Sequence, residues 1–222
     1  MTYFLNLPVW KKLVLVFLLV GLLPMTVIGY QALVTSNEII VNQVSNQLSA
    51  VRSIKAKEVT RYFERVRNQI QTLSAGPQII RIASEMPSAF REFRSETGLN
   101  AVSTEQQKAS VTSYYREKFA QQYEKLNGTN ADIPAMLKGL DSDSWALQYQ
   151  YISNNPYALG EKDSLNRAND GSEYSRLHES IHPKLRNYLN KFGYYDIFIA
   201  DAISGDIIYS VFKELDYTTS LI

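Results

Sequence analysis

The sequence predicts an α+β protein that is anchored by one transmembrane helix. An uncharged apolar run at 13–30 predicts the membrane span, and apolar residues at helical spacing over 31–75 predict a long helix that leaves the membrane. Two runs near the end of the chain are rich in Ile, Tyr, Phe and Val, and they predict an incomplete antiparallel sheet. Further helices are expected between the long helix and these strands.

The composition excludes several classes of protein. Lys and Arg number 23 against 22 Asp and Glu, so the net charge of the 222-residue chain is +1. A nucleic-acid partner is not expected, because phosphate binding usually leaves a basic excess on one face. The chain has no cysteine, which excludes thiol catalysis, Cys-ligated metals and disulfides. It also lacks the G-x-S-x-G, P-loop and G-x-G-x-x-G patterns, so we expect neither an enzyme nor a cofactor.

The predicted membrane span is LVLVFLLVGLLPMTVIGY at 13–30. With Val9 and Trp10 the apolar stretch approaches the roughly 20 residues that cross a bilayer as a helix. Trp10 and Tyr30 flank it where aromatic side chains prefer the membrane interface. Pro24 is tolerated in a membrane helix. Membrane lipid is therefore an expected partner.

The charges around this span predict its orientation. Lys11 and Lys12 precede the span, and no charged residue follows it before Glu38. The positive-inside rule then predicts a cytoplasmic stub at 1–12 and places residues from about 31 onward outside, in the periplasm of a bacterial inner membrane. A cleavable signal peptide is the alternative. Against it, the run is longer than the roughly 7–15 apolar residues of such a peptide, and no clear A-x-A site follows.

The region 31–140 is predicted to be helical and to begin with a long stalk helix at 31–75, which Gly76-Pro77 ends. Such a helix would extend roughly 65 Å at 1.5 Å per residue, longer than a compact domain is wide. Its length and its continuity with the span predict a homodimer in which two stalks pair. A core helix of a bundle is the alternative. The apolar positions, spaced by three and four, are Ile40, Val44, Leu48, Val51, Val59, Tyr62 or Phe63, Val66, Ile70 and Leu73.

Two helices are predicted after the stalk. The residues 78–95 predict a shorter helix that is interrupted by Pro87. The residues 104–127 predict a polar helix that contains several tyrosines and ends before Gly128.

The predicted strands are YYDIFIAD at 194–201 and DIIYSVF at 206–212, which a short Gly-containing turn joins as an antiparallel hairpin. Both faces of each run are largely apolar, so we expect the strands in the middle of a sheet that is covered on both sides. Two strands do not form an independently stable sheet without further strands or helices. The chain is therefore expected to be the front portion of a longer protein.

The pentapeptide HESIH, His178 to His182, matches the HExxH pattern in which two His bind zinc and the Glu acts as a base. Zinc requires both His side chains on one face of a continuous helix and a third protein ligand. Pro183 predicts that the helix at 172–191 is broken into two pieces. Because no third ligand is recognisable, we reject His178, Glu179 and His182 as a metal site. Both histidines are instead expected near a helix end.

The second half of the chain resembles the extracytoplasmic sensor region of bacterial methyl-accepting chemotaxis proteins. The residues that carry the resemblance are GYYDIFIADAISGDIIYSVFKELDYTTSL at 193–221, with the helix and the His-Pro pair before them. More narrowly, the region is similar to double-Cache sensors, whose modules contain a PAS-like sheet. The resemblance implies a truncated Cache/PAS-like module at 141–222. It also implies a dimeric receptor that passes a small helix displacement through the membrane to a histidine kinase.

The resemblance implies a small-molecule ligand in a pocket of this module. Such a pocket would enclose an apolar body with aromatic side chains and orient it with one or two charges. The expected ligand-binding residues are Trp145, Tyr149, Tyr151, Asp196 and Tyr209. The alternatives are an ordinary core for the four aromatics and a backbone hydrogen bond at a strand end for Asp196. The Arg-x-Trp-Tyr motif of amino-acid-binding members is absent, so the identity of the ligand stays open.

Three functions are compatible with these patterns to different degrees. The favoured function is the sensor region of a chemoreceptor without its signalling half, because the sequence has no second span, HAMP linker or methylation helices. The alternative is the sensor region of a membrane histidine kinase or nucleotide cyclase, which the residues cannot separate from the first. A membrane-anchored HExxH zinc peptidase is disfavoured by Pro183 and by the missing third ligand.

Overall fold

The structure is a computed structural model that describes residues 8–99 and 101–222, without the side chains of residues 101 and 102. The chain divides into two compact units, Met1–Ile70 and Gln71–Ile222. Most of the predicted cytoplasmic stub, residues 1–7, lies outside the described residues.

The first helix, α1 (Val9–Ser74), is continuous and contains both the predicted span and the predicted stalk. It is long and apolar enough to cross a membrane, since a window of 18 residues reaches a mean hydropathy of 2.5 and none of that window is buried. Pro24 lies inside α1 without ending it, and the helix stops just before Gly76-Pro77 as predicted. The side of the membrane on which each end lies stays a prediction.

The second unit is mostly helical and surrounds a small sheet. Its α-helices, within the described residues, are α2 (Pro77–Glu96), α3 (Ala101–Tyr114), α4 (Ala120–Asn127), α5 (Ile133–Met136), α6 (Ser142–Gln148) and α7 (Glu173–Phe192). Two π-helical segments, Tyr115–Phe119 and Tyr149–Ser153, continue α3 and α6, and a 3-10 turn covers Lys162–Ser164. Helices with a small antiparallel sheet make this an α+β chain.

The helix α2 is not interrupted by Pro87, so that part of the prediction is wrong. Pro77 occupies the first turn, where a proline is favoured, and Pro87 lies in the helix interior. The helix continues through Pro87 because apolar residues at helical spacing on both sides of it are buried in one core. These residues are Ile82, Met86, Ala89, Phe90 and Phe93.

The polar helix predicted at 104–127 is observed as α3, a π segment and α4. Gly128 ends it in the left-handed conformation, with a φ of 69°, and its N–H donates to the Glu124 carbonyl at 2.8 Å. The predicted end of this helix is confirmed. The π segment at Tyr115–Phe119 was not predicted.

The helix α7 is continuous through Pro183, which corrects the prediction of two pieces. Ser172 begins the helix by accepting a hydrogen bond from the N–H of Ser175 at 3.1 Å, and Gly193 ends it with a φ of 70°. The proline removes one helical hydrogen bond to the Glu179 carbonyl. Burial of one whole face outweighs that loss. The apolar residues of this face are Tyr174, Leu177, Ile181, Leu185 and Leu189.

The predicted hairpin is confirmed as two short strands, β1 (Phe198–Ala200) and β2 (Ile207–Ser210), which pair antiparallel with Ile199 opposite Tyr209. All four residues of β2 are buried, whereas Phe198 and Ala200 of β1 are exposed. The expectation that both strands lie in the middle of a sheet is therefore wrong for β1, which forms an edge.

The last residues of the chain return along the other side of β2. The N–H of Ile207 donates to the Thr219 carbonyl at 2.8 Å, and the N–H of Thr218 donates to the Ile207 carbonyl at 3.1 Å. Asp206 and Ser220 form an isolated antiparallel bridge. This return places Thr218 and Thr219 beside Ile207, the first residue of β2.

A cluster of buried tyrosines joins the helices to the sheet. The Tyr174 hydroxyl on α7 donates to the Ile208 carbonyl of β2 at 2.7 Å and lies 2.8 Å from the Tyr217 hydroxyl. Tyr151 packs edge-on against Tyr174, with ring centres 5.6 Å apart. Tyr151, Tyr174 and Tyr217 are fully buried, so the helices from α2 to α7 and the sheet share one core.

Asp196 fixes the start of the hairpin to its end. Its Oδ1 accepts hydrogen bonds from the N–H groups of Ile197, Val211 and Phe212 at 2.6, 3.0 and 3.3 Å. Its Oδ2 accepts from the Ser210 hydroxyl at 2.8 Å. The alternative of a backbone hydrogen bond at a strand end therefore describes this carboxylate in the structure.

We expect Asp196→Ala to lower the free energy of unfolding of the second unit by about 2–4 kcal/mol, because several buried donors lose their acceptor together. Trp145 fluorescence during urea unfolding of the whole chain, in a Trp10→Phe background, measures the change. Asp206→Ala is the matched control, because no hydrogen bond to the Asp206 carboxylate is found among the described residues. Equal losses in the two variants would contradict the assigned role of Asp196.

Candidate functional site

A cavity of about 570 Å³ lies beside the end of β2 in the second unit. This volume falls within the range of small-molecule sites, which runs from about 300 to about 1,000 Å³. The apolar side chains of its wall are Phe119, Met136, Ile152, Leu159, Phe212 and Leu215. The polar side chains of its wall are Tyr114, Tyr115, Lys162, Tyr195, Lys213, Glu214, Asp216 and Thr219.

Both π-helical segments contribute to this wall. The segment Tyr115–Phe119 contributes Tyr115 and Phe119, and the segment Tyr149–Ser153 contributes Ile152. A π turn inserts one extra residue into a helix, which changes the face that the following side chains present, and such turns are frequent at functional sites. Two of them on one cavity favour a functional role for this wall.

Lys213 follows β2 in an unfavourable backbone conformation. Its φ is 58°, in the left-handed region that a lysine seldom adopts, and the residue is 2% exposed. Its ammonium group donates to the Ser210 carbonyl and, at 3.5 Å, to the Val211 carbonyl. Strain of this kind persists only where surrounding contacts fix the residue, and it is concentrated at binding sites and switches.

Three aromatic rings enclose the same ammonium group. The Lys213 nitrogen lies 4.6 Å from the ring centre of Tyr209, 5.5 Å from that of Tyr217 and 5.7 Å from that of Tyr151. Cation–π attraction offsets part of the cost of removing the charge from water. Burial nevertheless lowers the pKa of Lys213 to about 7.

Lys162 is a second buried cation of the wall. Its ammonium group donates to the Asn155 carbonyl at 2.9 Å and to the Tyr157 carbonyl at 2.6 Å. It also lies 4.9 Å from the ring centre of Tyr114. Burial lowers the pKa of Lys162 to about 8. Both lysines of the wall thus direct their ammonium groups to carbonyls of the protein.

The acidic residues of the wall differ from its two lysines in their hydrogen bonds. Glu214 accepts a hydrogen bond from the Tyr195 hydroxyl at 2.7 Å, and this bond raises the pKa of Tyr195 to about 12. Burial raises the pKa of Asp216, and the nearby carboxylates of Asp196 and Glu214 raise it further. The Oδ1 atom of Asp216 is buried and has no hydrogen-bond partner within the described residues.

Two tyrosine hydroxyls of the wall have surroundings like those of Asp216 Oδ1. In the described part of the chain, the hydroxyls of Tyr114 and Tyr115 are buried without a hydrogen-bond partner. Burial raises the pKa of Tyr114 to about 12, and it also raises that of Tyr115, to which Tyr114, Asp216 and Glu214 contribute. Leaving a buried polar atom unpaired costs about 1–3 kcal/mol. Three such atoms belong to residues of the cavity wall, but each is itself closed to solvent.

The five residues predicted to bind ligand lie elsewhere in the same unit. Trp145, Tyr151 and Tyr209 are buried in the core, and Tyr149 packs against it. Asp196 binds the backbone of the hairpin, as described above. None of the five is part of the cavity wall. Their role in binding stays a prediction, and the structure gives a separate set of candidates.

The residues of the wall carry a weak sequence signal. Tyr114-Tyr115 and Glu214 to Asp216 lie about 100 residues apart, in a polar helix and after the last strand. Nothing in their spacing shows that α3 packs beside the return of the chain along β2. Only the adjacent pair of tyrosines in an otherwise polar helix could have drawn attention to this region.

The HExxH residues lie in the middle of α7, on one continuous helix, so the expectation of a helix end is wrong. The rings of His178 and His182 stack with centres 4.4 Å apart. Glu179 is exposed on another face and pairs with Arg167 at 3.1 Å. Among residues 8–99 and 101–222, no three His, Cys, Asp or Glu side chains are grouped so that they could hold a metal ion.

Both imidazoles instead bind groups of the protein. His178 Nδ1 lies 2.7 Å from the Asn166 carbonyl, and His182 Nε2 lies 2.7 Å from the Asp163 carbonyl. His182 Nδ1 lies 2.8 Å from the Tyr209 hydroxyl. Burial lowers the pKa of His182 to about 3 and that of His178 well below its usual value. The pair is therefore neutral at physiological pH.

The comparisons with known proteins identify no relative. No protein family matches the chain, and no curated protein or solved structure matches it.

We expect the second unit to become more stable as the pH rises from about 7 to about 9.5. Burial lowers the pKa of Lys213 to about 7 in the folded state, whereas an ordinary lysine has a pKa of 10.5. Between these values the unfolded chain binds more protons, so the free energy of unfolding rises by up to about 1.4 kcal/mol per pH unit. Lys162, with its pKa lowered to about 8, acts in the same direction.

Urea unfolding at several pH values measures this slope. Lys213→Met removes the titrating group, so most of the slope should disappear. Lys191→Met, at an exposed lysine on α7, should leave it unchanged. A wild-type chain whose stability does not change with pH over this window would contradict the burial of Lys213.

Proposed function

We propose that the chain is the sensor region of a bacterial chemoreceptor of the methyl-accepting chemotaxis type. It binds a small molecule outside the cytoplasm in the cavity beside β2 and transmits the binding event across the membrane through α1. It has no catalytic function of its own. The same region attached to a membrane histidine kinase or nucleotide cyclase is the alternative output.

The observation that carries this proposal is the composition of the cavity wall. The segment 193–221, which resembles double-Cache sensors, contributes Tyr195 and the run from Phe212 to Asp216. The wall combines apolar side chains with a few charged and hydroxyl-bearing ones, as a small-molecule site does. On this proposal the hairpin of β1 and β2 is the beginning of a PAS/Cache-like sheet.

The continuity of α1 supports transmission across the membrane. The helix contains the apolar span and runs without a break to Ser74, and the second unit begins at Gln71. In this proposal residues 1–12 are cytoplasmic, and those from about 31 onward are periplasmic, as the lysines before the span favour. A helix that joins a span to a sensor directly can pass on a small displacement.

A homodimer through the stalk completes the proposal. The apolar residues Ile40, Val44, Leu48 and Val51 are all 47% or more exposed along one stripe of α1. A stripe spaced by three and four residues is suited to packing against a second helix of the same kind. Pairing of two copies would remove these side chains from water.

Blocking the cavity tests the binding function. Leu159→Trp introduces a large ring at the wall, where Leu159 is 39% exposed, and should abolish ligand binding without unfolding the protein. Leu126→Trp, at a residue that is 72% exposed away from the cavity, is the control. Thermal-shift screening of the full chain in detergent with a set of small metabolites supplies the ligand.

A ligand at 100 times its dissociation constant stabilises the folded state by about 2.7 kcal/mol. This stabilisation should be retained in Leu126→Trp and lost in Leu159→Trp. A ligand that stabilises both variants equally would place the binding site elsewhere.

Single cysteines test the dimer, because the chain has none of its own. Val44→Cys in membranes should form a disulfide-linked dimer on mild oxidation. Asn46→Cys is the control, because it lies about 200° around the helix from residue 44. Equal cross-linking at both positions, or at neither, would contradict pairing through the apolar stripe.

A further inference from the structure

We infer that the ligand of the cavity is an uncharged, mainly apolar molecule, and that the apolar side chains of the wall bind it rather than the charged ones. This inference deepens the proposed function, because it names the class of molecule that the sensor would detect. It rests on the proposal that the cavity binds a ligand.

Apolar side chains supply most of the accessible surface of the wall. Leu159 is 39% exposed, and four further apolar side chains of the wall are only partly buried. A ligand that covers such surface removes it from water, which is worth about 4-fold in affinity for each methylene group buried. The four partly buried side chains are Phe119, Met136, Phe212 and Leu215.

The two lysines of the wall do not offer a charge to a ligand. Lys162 is 4% exposed, and its ammonium group donates to two carbonyls of the protein at 2.9 and 2.6 Å and lies 4.9 Å from the ring centre of Tyr114. Lys213 is 2% exposed, donates to the Ser210 carbonyl and is enclosed by three tyrosine rings. A carboxylate ligand would therefore lose its hydration without gaining a cation in return.

The acidic residues of the wall do not select a cation either. Glu214 is exposed, and its carboxylate already accepts a hydrogen bond from the Tyr195 hydroxyl at 2.7 Å. An ion pair with an exposed carboxylate adds at most about 5-fold to an affinity. Asp216 is partly buried, its Oδ1 is closed to solvent, and burial raises its pKa, which favours the uncharged form.

The remaining hydroxyls of the wall are bound or closed. The Thr219 hydroxyl donates to the Asp216 carbonyl at 2.6 Å. The hydroxyls of Tyr114 and Tyr115 are closed to solvent, so Tyr114, which is partly buried, offers carbon rather than oxygen to a ligand. A polar group that a ligand buries here would find no partner, which costs about 5- to 150-fold in affinity. The wall is therefore suited to a molecule with few polar groups.

Four probes that share a phenylethyl body test the inference. Propylbenzene, 2-phenylethanol, 2-phenylethylamine and 3-phenylpropanoate end in a methyl, a hydroxyl, an ammonium and a carboxylate group. The whole chain in lipid nanodiscs is dialysed to equilibrium against each probe, and the free concentration is measured in the buffer without lipid. Binding to the cavity is the uptake by wild-type nanodiscs minus the uptake by nanodiscs that carry Leu159→Trp, since both contain the same lipid.

We expect propylbenzene to bind saturably to the wild type and to the control Leu126→Trp, but not to Leu159→Trp. 2-Phenylethanol should bind about 5-fold more weakly, and the two charged probes at least about 10-fold more weakly, because the cavity gives their polar ends no partner. Ethylbenzene should bind about 4-fold more weakly than propylbenzene, and butylbenzene about 4-fold more tightly.

A second variant leaves the cavity open and changes only its polarity. Leu159→Asn replaces an apolar side chain of the wall by a polar one of similar size, and it should weaken propylbenzene binding by about 5-fold. Leu126→Asn, at a residue that is 72% exposed outside the wall, is the matched control. Equal affinities of these two variants for propylbenzene would overturn the inference.

The outcomes separate this inference from the proposed function. A charged probe that binds as tightly as propylbenzene and is excluded by Leu159→Trp would overturn the inference and leave the sensor function standing. The same holds if propylbenzene does not bind, while a polar metabolite from the thermal-shift screen binds in a way that depends on the cavity. If neither the probes nor the screen yields a compound whose binding depends on the cavity, both are overturned.

Discussion

The buried amino group of Lys213 fixes the chain reversal on which the cavity depends. It binds the Ser210 carbonyl at the end of β2 and is enclosed by the rings of Tyr209 and Tyr217. Without these contacts, Lys213 would adopt a backbone conformation more favourable than the left-handed one. Because Lys213 is fixed, the chain turns back at once and Thr218 reaches the backbone of β2. The acidic wall of the cavity consists of the residues between these two points.

The tyrosine cluster explains how so polar a group can lie in the core. The hydroxyls of Tyr151, Tyr174, Tyr209 and Tyr217 all have hydrogen-bond partners, while their rings supply apolar surface. A leucine core would leave the ammonium group without compensation, and a fully polar core would not drive folding. The cluster also connects α7 to β2 through the Tyr174 hydroxyl and the Ile208 carbonyl.

Local signals in the sequence predict where several helices and strands end. Gly128 and Gly193 end helices because both adopt positive φ values, and the hairpin follows from two β-rich runs around a short turn. At Pro183 the local signal is misleading, because burial of one face of α7 outweighs the single hydrogen bond that the proline removes. Local signals could not show the cavity, because Tyr115 and Asp216 are brought together only by tertiary packing. The sequence predicts the α+β class, but it does not predict the position of the cavity.

The HExxH pentapeptide shows why a motif has to be interpreted with its surroundings. Continuity of α7 gives His178 and His182 the single face that a zinc site requires, so Pro183 does not by itself exclude metal binding. These imidazoles are bound by a loop of the protein instead. The carbonyls of Asp163 and Asn166 each form a hydrogen bond with one ring nitrogen. A loop buried against a helix needs donors for its carbonyls, which leucine cannot supply. Neutral histidines meet that need within an apolar face, and the spacing of four residues follows from the turn of the helix.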